Sequence, residues 1–123
     1  MKRWKQGFTL IELMIVIAVI AILLGIALPR LRGMVDEGNT AKAAAELRAL
    51  QAGVESYYIH HSKAYPAEGS TWQSVLTSAK PQLIGSALND PFASSSTEYQ
   101  YKKTGNYYVI FSVGPDATAD IIG

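Results

Sequence analysis

The sequence predicts an α+β chain in which one long N-terminal helix packs against a small C-terminal antiparallel sheet with long loops. Three patterns predict it. The stretch from Phe8 to Leu28 is an apolar run with a single charge, Glu12. From Ala43 to Tyr57 apolar residues recur at the spacing of one helix face. Finally, Glu98 to Lys102 and Tyr107 to Val113 are rich in aromatic and β-branched residues and flank a Gly105-Asn106 turn signal.

The apolar run comes first. At about 1.5 Å per residue it makes roughly 31 Å of helix, enough to cross the hydrocarbon core of a bilayer. A secretory signal peptide is the competing reading, but its apolar region runs about 7 to 15 residues and ends at a small-residue cleavage site. Here the run is longer, and Pro29-Arg30-Leu31-Arg32 follows it. Glu12 is the anomaly. A lone carboxylate at the bilayer centre costs about 3 kcal/mol and calls for a cation. Glu12 sits about 6 Å inside the boundary, where snorkelling relieves part of that cost. The nearest upstream cation is Lys5.

Lys5-Gln6-Gly7, followed by Phe8-Thr9-Leu10-Ile11-Glu12 and the apolar run, resembles the type III signal of the type IV pilin superfamily, which holds the pilins and the pseudopilins of type II secretion systems. The resemblance implies a type IV pilin-like fold. It also implies that a prepilin peptidase cuts between Gly7 and Phe8 and N-methylates Phe8. Residues 1–7 are then a leader, 8–28 a transmembrane and filament-core helix, and 29–123 a periplasmic pilin-like domain that includes the amphipathic half of the helix. Cleavage supplies a cation, the new amine of Phe8. In a low-dielectric medium an amine and a carboxylate attract strongly, and either is costly unpaired. Phe8 and Glu12 are spaced i, i+4, so the pair can close within one chain. Between chains, the amine of an incoming subunit meets Glu12 of the previous one and sets the axial register, which is the use the family favours.

Net formal charge is +1, and Lys2, Arg3 and Lys5 all lie in the leader. Without them the chain is mildly acidic and has no basic patch for phosphate backbones, so nucleic-acid binding is not expected. By the positive-inside rule the same cations keep the N-terminus cytoplasmic and place the C-terminal domain across the inner membrane. Cysteine is absent. A small domain must then be held by a metal, by packing on the long helix, or by neighbouring subunits.

Pro29 should kink or locally open the helix. In pilin-like filaments a proline here accompanies a melted stretch, which Gly25 and Gly33 would help. Asp36 to Thr40 reads as a bend, with Asn39 or Thr40 capping a renewed helix. Ala43, Leu47, Leu50, Val54 and Tyr57 then form one apolar stripe, while Lys42, Glu46, Arg48, Gln51 and Glu55 form a solvated or subunit-facing side. The helix should end near His61 or Ser62, before Ala64-Tyr65-Pro66. On a helix the rings of His60 and His61 diverge by about 100°, which suits surface residues better than metal ligands.

Residues 66–97 read as irregular, with a short helix burying Trp72 and Leu76 and a turn at Asn89-Asp90-Pro91-Phe92. So long a loop region usually marks function or an interaction surface. The turn resembles the Asp-Pro-Trp element of major pseudopilins. In the second strand Tyr107, Val109, Phe111 and Val113 share one face and Tyr108, Ile110 and Ser112 the other. Which face covers the helix stripe is open. The seven tyrosines read as core and interface material rather than as an electron relay.

Phe111-Ser112-Val113-Gly114-Pro115-Asp116 and Asp120-Ile121 resemble the C-terminal Ser-Leu-Gly-Pro-Asp and Asp-Ile elements of the major pseudopilins, whose loop binds calcium. The resemblance implies calcium at Asp116 and Asp120. On the residues alone, Asp116 can equally cap a tight turn.

No cysteine, histidine cluster, paired carboxylates in a cleft or Gly-rich phosphate loop points to catalysis, so an enzyme is not expected. The resemblance implies a structural subunit of a pseudopilus that drives protein secretion across the outer membrane. Its implied partners are other copies of itself, minor pseudopilins, the prepilin peptidase, and an inner-membrane assembly platform with its ATPase. The alternative is a type IV pilin of an extracellular fibre for adhesion, motility or DNA uptake. A third reading is a bitopic membrane protein that never polymerises.

Overall fold

The computed structural model describes Met1, residues 7–94 and residues 96–119; the leader cations Lys2, Arg3 and Lys5, and also Asp120, lie outside the described residues. In chain order come α1 (Leu10–His60), α2 (Trp72–Ser78), β1 (Gln100–Thr104) and β2 (Tyr107–Phe111). By internal packing the chain divides into two compact units, Met1–Val35 and Asp36–Gly123.

Thr9 opens α1. Its carbonyl accepts the Leu13 N–H at 3.2 Å and its Oγ1 accepts the Glu12 N–H at 3.3 Å, so Thr9 is the N-cap. The spacing Thr9-x-x-Glu12 is that of a capping box. In this first unit the apolar side chains face outward, from Leu10 at 84% exposed to Val16 at 48%.

Pro29 lies inside α1, and the helix is assigned without a break on either side of it. The helix assignment thus runs on through Pro29 in the single chain. Pro29 cannot donate to the Gly25 carbonyl, but one lost bond does not stop a helix of strong formers. Nor does the helix pause at Asp36 to Thr40. Thr40 Oγ1 donates to the Asp36 carbonyl at 2.8 Å, so its hydroxyl bonds back along the helix instead of capping a new one.

In the second unit Ala43, Leu50 and Val54 are buried and Leu47 and Tyr57 are packed against them, as the stripe predicts. Gly53 joins that face. A Cβ there would stand 3.0 Å from Ile84 Cγ2 and 3.5 Å from Leu76 Cδ1, so the missing side chain lets residues 76–84 lie close to α1. The helix ends in a Schellman arrangement: the Lys63 N–H donates to the Tyr58 carbonyl at 3.1 Å, and Ser62 takes φ 53°.

Helix α2 buries Trp72, Gln73 and Leu76. Gln73 is fully enclosed and reciprocally bonded to the backbone of Leu88: Nε2 donates to its carbonyl at 2.9 Å, and Oε1 accepts its N–H at 2.7 Å. That pair gives the irregular loop a fixed attachment. Fully burying Leu50, Leu76 or Val54 contributes about 1.5–3 kcal/mol each.

Strands β1 and β2 pair antiparallel, from Gln100↔Phe111 to Thr104↔Tyr107. Gly105 and Asn106 alone make the turn, with Gly105 at φ 58°, the position a type II′ hairpin gives to glycine. The face bearing Tyr101, Tyr108 and Ile110 covers the helix stripe, while Tyr107 is 81% exposed. Both strands differ in extent from the sequence expectation. β1 begins at Gln100, because Glu98 is spent on an isolated bridge to Asn89. β2 stops at Phe111, because Ser112 and Val113 turn to bind Asp90.

Candidate functional site

Two places carry the residues that the sequence singles out, and each is built by local chemistry. At the N-terminus Gly7 and Phe8 are exposed and precede the Thr9 cap; Glu12 occupies the first turn of α1, where a carboxylate is favoured by the helix dipole. The sequence reading does not single out Thr9, although a Ser or Thr three residues before an acid and ahead of an apolar run is the available signal. Among the described residues α1 is the one helix long and apolar enough to cross a membrane.

On the amphipathic half of α1, two residues of the polar side prove to be anchors. Tyr99 Oη donates to Glu46 Oε2 at 2.6 Å, and Tyr108 Oη donates to Glu55 Oε1 at 2.7 Å. Glu46 also meets Lys42 Nζ at 3.8 Å. Burial, then the hydrogen bond to the carboxylate, pushes both phenols well above the usual tyrosine range. Tyr101 donates to the Pro66 carbonyl at 3.0 Å and stacks on Trp72 with centroids 4.8 Å apart; burial, with Glu68 nearby, pushes its phenol up to about 12. Trp72 Nε1 donates to the Tyr99 carbonyl at 3.0 Å. The tyrosines are thus largely the joinery of the domain.

His60 and His61 do not converge. His60 Nδ1 bonds the Ser56 carbonyl at 2.7 Å, whereas the His61 ring stacks on Tyr57 at 3.9 Å. A groove of about 650 Å³ is lined by Glu68, Trp72, Glu98, Tyr99, Tyr101 and Lys102 among others. Burial raises the Glu98 carboxyl above its usual range, and Glu68 Oε1 accepts the Lys103 N–H on the outer edge of β1.

At the C-terminal end, Gly114 to Ala117 form a turn closed by the Ala117 N–H on the Gly114 carbonyl at 3.0 Å. Asp116 Oδ1 accepts the Thr118 N–H at 3.2 Å, the turn-capping role open to it on sequence grounds. Calcium takes six to eight oxygens. Among the described residues no three His, Cys, Asp or Glu side chains gather to hold a metal, and Asp116 already gives one oxygen to its own turn. Beside this turn lies a residue that the sequence reading places only in a turn. Asp90, 5% exposed, accepts the Phe92 N–H at 3.0 Å and the Ser112 hydroxyl at 2.7 Å on Oδ1, and the Val113 N–H at 2.8 Å on Oδ2.

Comparison with known proteins bears on both places. Residues 5–28 match the family model of the prokaryotic N-terminal methylation motif, and residues 30–121 match that of type II secretion system protein G. The chain is 30% identical to the type II secretion system core protein G of Dickeya chrysanthemi, over 98% of this chain and 84% of that protein. It is 29% identical to the protein of the same name from Klebsiella pneumoniae, over 94% and 89%. The type IV major fimbrial protein FimA of Dichelobacter nodosus is 28% identical over 96% of this chain and 69% of that protein. No solved structure matches the chain.

Proposed function

Because the chain belongs to the protein G family of type II secretion systems, we propose that it is the structural subunit of a pseudopilus, a filament that drives protein secretion across the outer membrane. The observation that carries this is the outward-facing apolar half of α1, opened by the Thr9 cap and holding Glu12 as the acid of its first turn. So much apolar surface is stable only in a bilayer or against other copies of the same helix. One face cannot serve both at once, which suits a subunit stored in the membrane and withdrawn into a filament.

In this reading a prepilin peptidase cuts between Gly7 and Phe8 and methylates the new amine of Phe8. The amine of an incoming subunit then neutralises Glu12 of the previous one. Pro29 opens α1 only on assembly, where neighbouring subunits compensate the lost backbone bonds. The N-terminus is cytoplasmic and the C-terminal domain periplasmic; minor pseudopilins, an assembly platform and its ATPase act on the subunit. Calcium, held by Asp116 and Asp120 with loop carbonyls, would be a second tie of the C-terminal segment.

The fimbrial relatives favour one alternative, an extracellular type IV fibre. Mass spectrometry of the mature protein, with immunogold imaging of wild-type cells, separates the readings. A chain beginning at methylated Phe8 and confined to the cell envelope supports the pseudopilus. Abundant labelled surface fibres support the pilin, and a chain still beginning at Met1 rejects both.

A further inference from the structure

We propose that Asp90 fastens the C-terminal segment to the body of the domain without a metal ion. Its carboxylate is almost fully enclosed, and both oxygens point at protein donors. Three of its roughly four acceptor positions are filled by the Phe92 N–H, the Ser112 hydroxyl and the Val113 N–H. Charge-assisted bonds of this kind are about twice as strong as neutral ones, and together they offset the cost of enclosing the anion. Ser112 extends the arrangement, because its Oγ also accepts the Gly114 N–H at 3.1 Å. The base of the turn that carries Asp116 is thereby held at three successive residues.

The tie does for topology what a disulfide would do in a chain that has no cysteine. Asp90 and Ser112 are 22 residues apart, and the whole β1–β2 hairpin lies between them. Asp90 is itself anchored, since its N–H donates to the Thr97 carbonyl at 2.9 Å and Asn89 bridges to Glu98. Closing that loop through one carboxylate removes the need for calcium at its root. This holds whether the filament is a pseudopilus or a surface fibre.

The test is amide-resolved hydrogen exchange on the full chain in detergent micelles, with calcium chloride or with EGTA. Val113 and Gly114 should exchange at the same slow rate in both. In Asp90→Ala they should exchange about tenfold faster or more even with calcium present, because a buried acceptor has been removed. Leu88, held by Gln73, should stay protected. Ser112→Ala, a milder change, should speed Gly114 and spare Leu88, so a folding failure of the first variant leaves the test intact. Loss of Val113 protection on adding EGTA to the wild type would overturn the proposal, as would unchanged Val113 exchange in Asp90→Ala. Calcium at Asp116 and Asp120 is read separately, as a calcium-dependent slowing at Thr118.

Discussion

Tyr99 and Glu46 are 53 residues apart in sequence, yet the phenol of one lies 2.6 Å from the carboxylate of the other. Tyr108 and Glu55 repeat the contact at 2.7 Å with the same separation. Since Glu46 and Glu55 lie on one helix, the two bonds fix both the position and the rotation of the hairpin on α1. The polar side of the helix thus holds the sheet in place while the apolar stripe beneath it supplies the burial.

Tyr99→Phe should lower the unfolding free energy of the full chain in micelles by about 1.5–3 kcal/mol, the worth of a hydrogen bond to a charged group. Adding Glu46→Gln should cost less than the sum of the two single changes. Urea titration of the four-member cycle measures the coupling; strict additivity would show that the contact contributes nothing.

High pH should unfold the domain. Tyr99, Tyr101 and Tyr108 hold their protons when folded above the ordinary value of 10, and Tyr101 does so up to about 12. In the unfolded chain they ionise near 10, so above that pH the unfolded state gains by releasing protons that the folded state retains. Their contribution is fully present below pH 10 and is lost as pH rises through the folded values. The melting temperature should fall steeply between pH 10 and 12, and less steeply in Tyr101→Phe.

Gly53 should tolerate little. Gly53→Val places methyl groups against Ile84 and Leu76 and should destabilise by about 1–3 kcal/mol. Gly53→Ala sets a 3.0 Å contact with the Cγ2 methyl of Ile84 against a helix-propensity gain of about 1 kcal/mol, and should change stability less than valine. Urea midpoints of the two variants check the order.

Ser62→Gly should stabilise by about 0.5–1 kcal/mol, because Ser62 holds φ 53° at the C-terminal cap of α1. The expected readout is a higher melting temperature with an unchanged circular dichroism spectrum.

Where structure follows from near neighbours, the sequence announces it. The stripe from Ala43 to Tyr57, the burial of Trp72 and Leu76 and the Gly105-Asn106 turn all follow from periodicity or turn chemistry. Features set by distant partners are different. Asp90 reads only as a turn residue until Ser112 and Val113 are brought to it, and that same contact ends β2 early. Glu46 and Glu55 look like solvated helix charges until the tyrosines arrive. At Asp36 to Thr40 the local breakers lose, because Thr40 satisfies itself on the preceding turn. Glu12 is legible for an electrostatic reason, as the single acid in an apolar run.

Glu12→Ala, expressed in cells and followed by membrane fractionation and electron microscopy of filaments, tests the role given to that acid most directly. The expected result is a variant that is cleaved and inserted at wild-type levels but forms no filaments. Filaments of normal number and length from Glu12→Ala would contradict an assembly register set by the Phe8 amine and the Glu12 carboxylate.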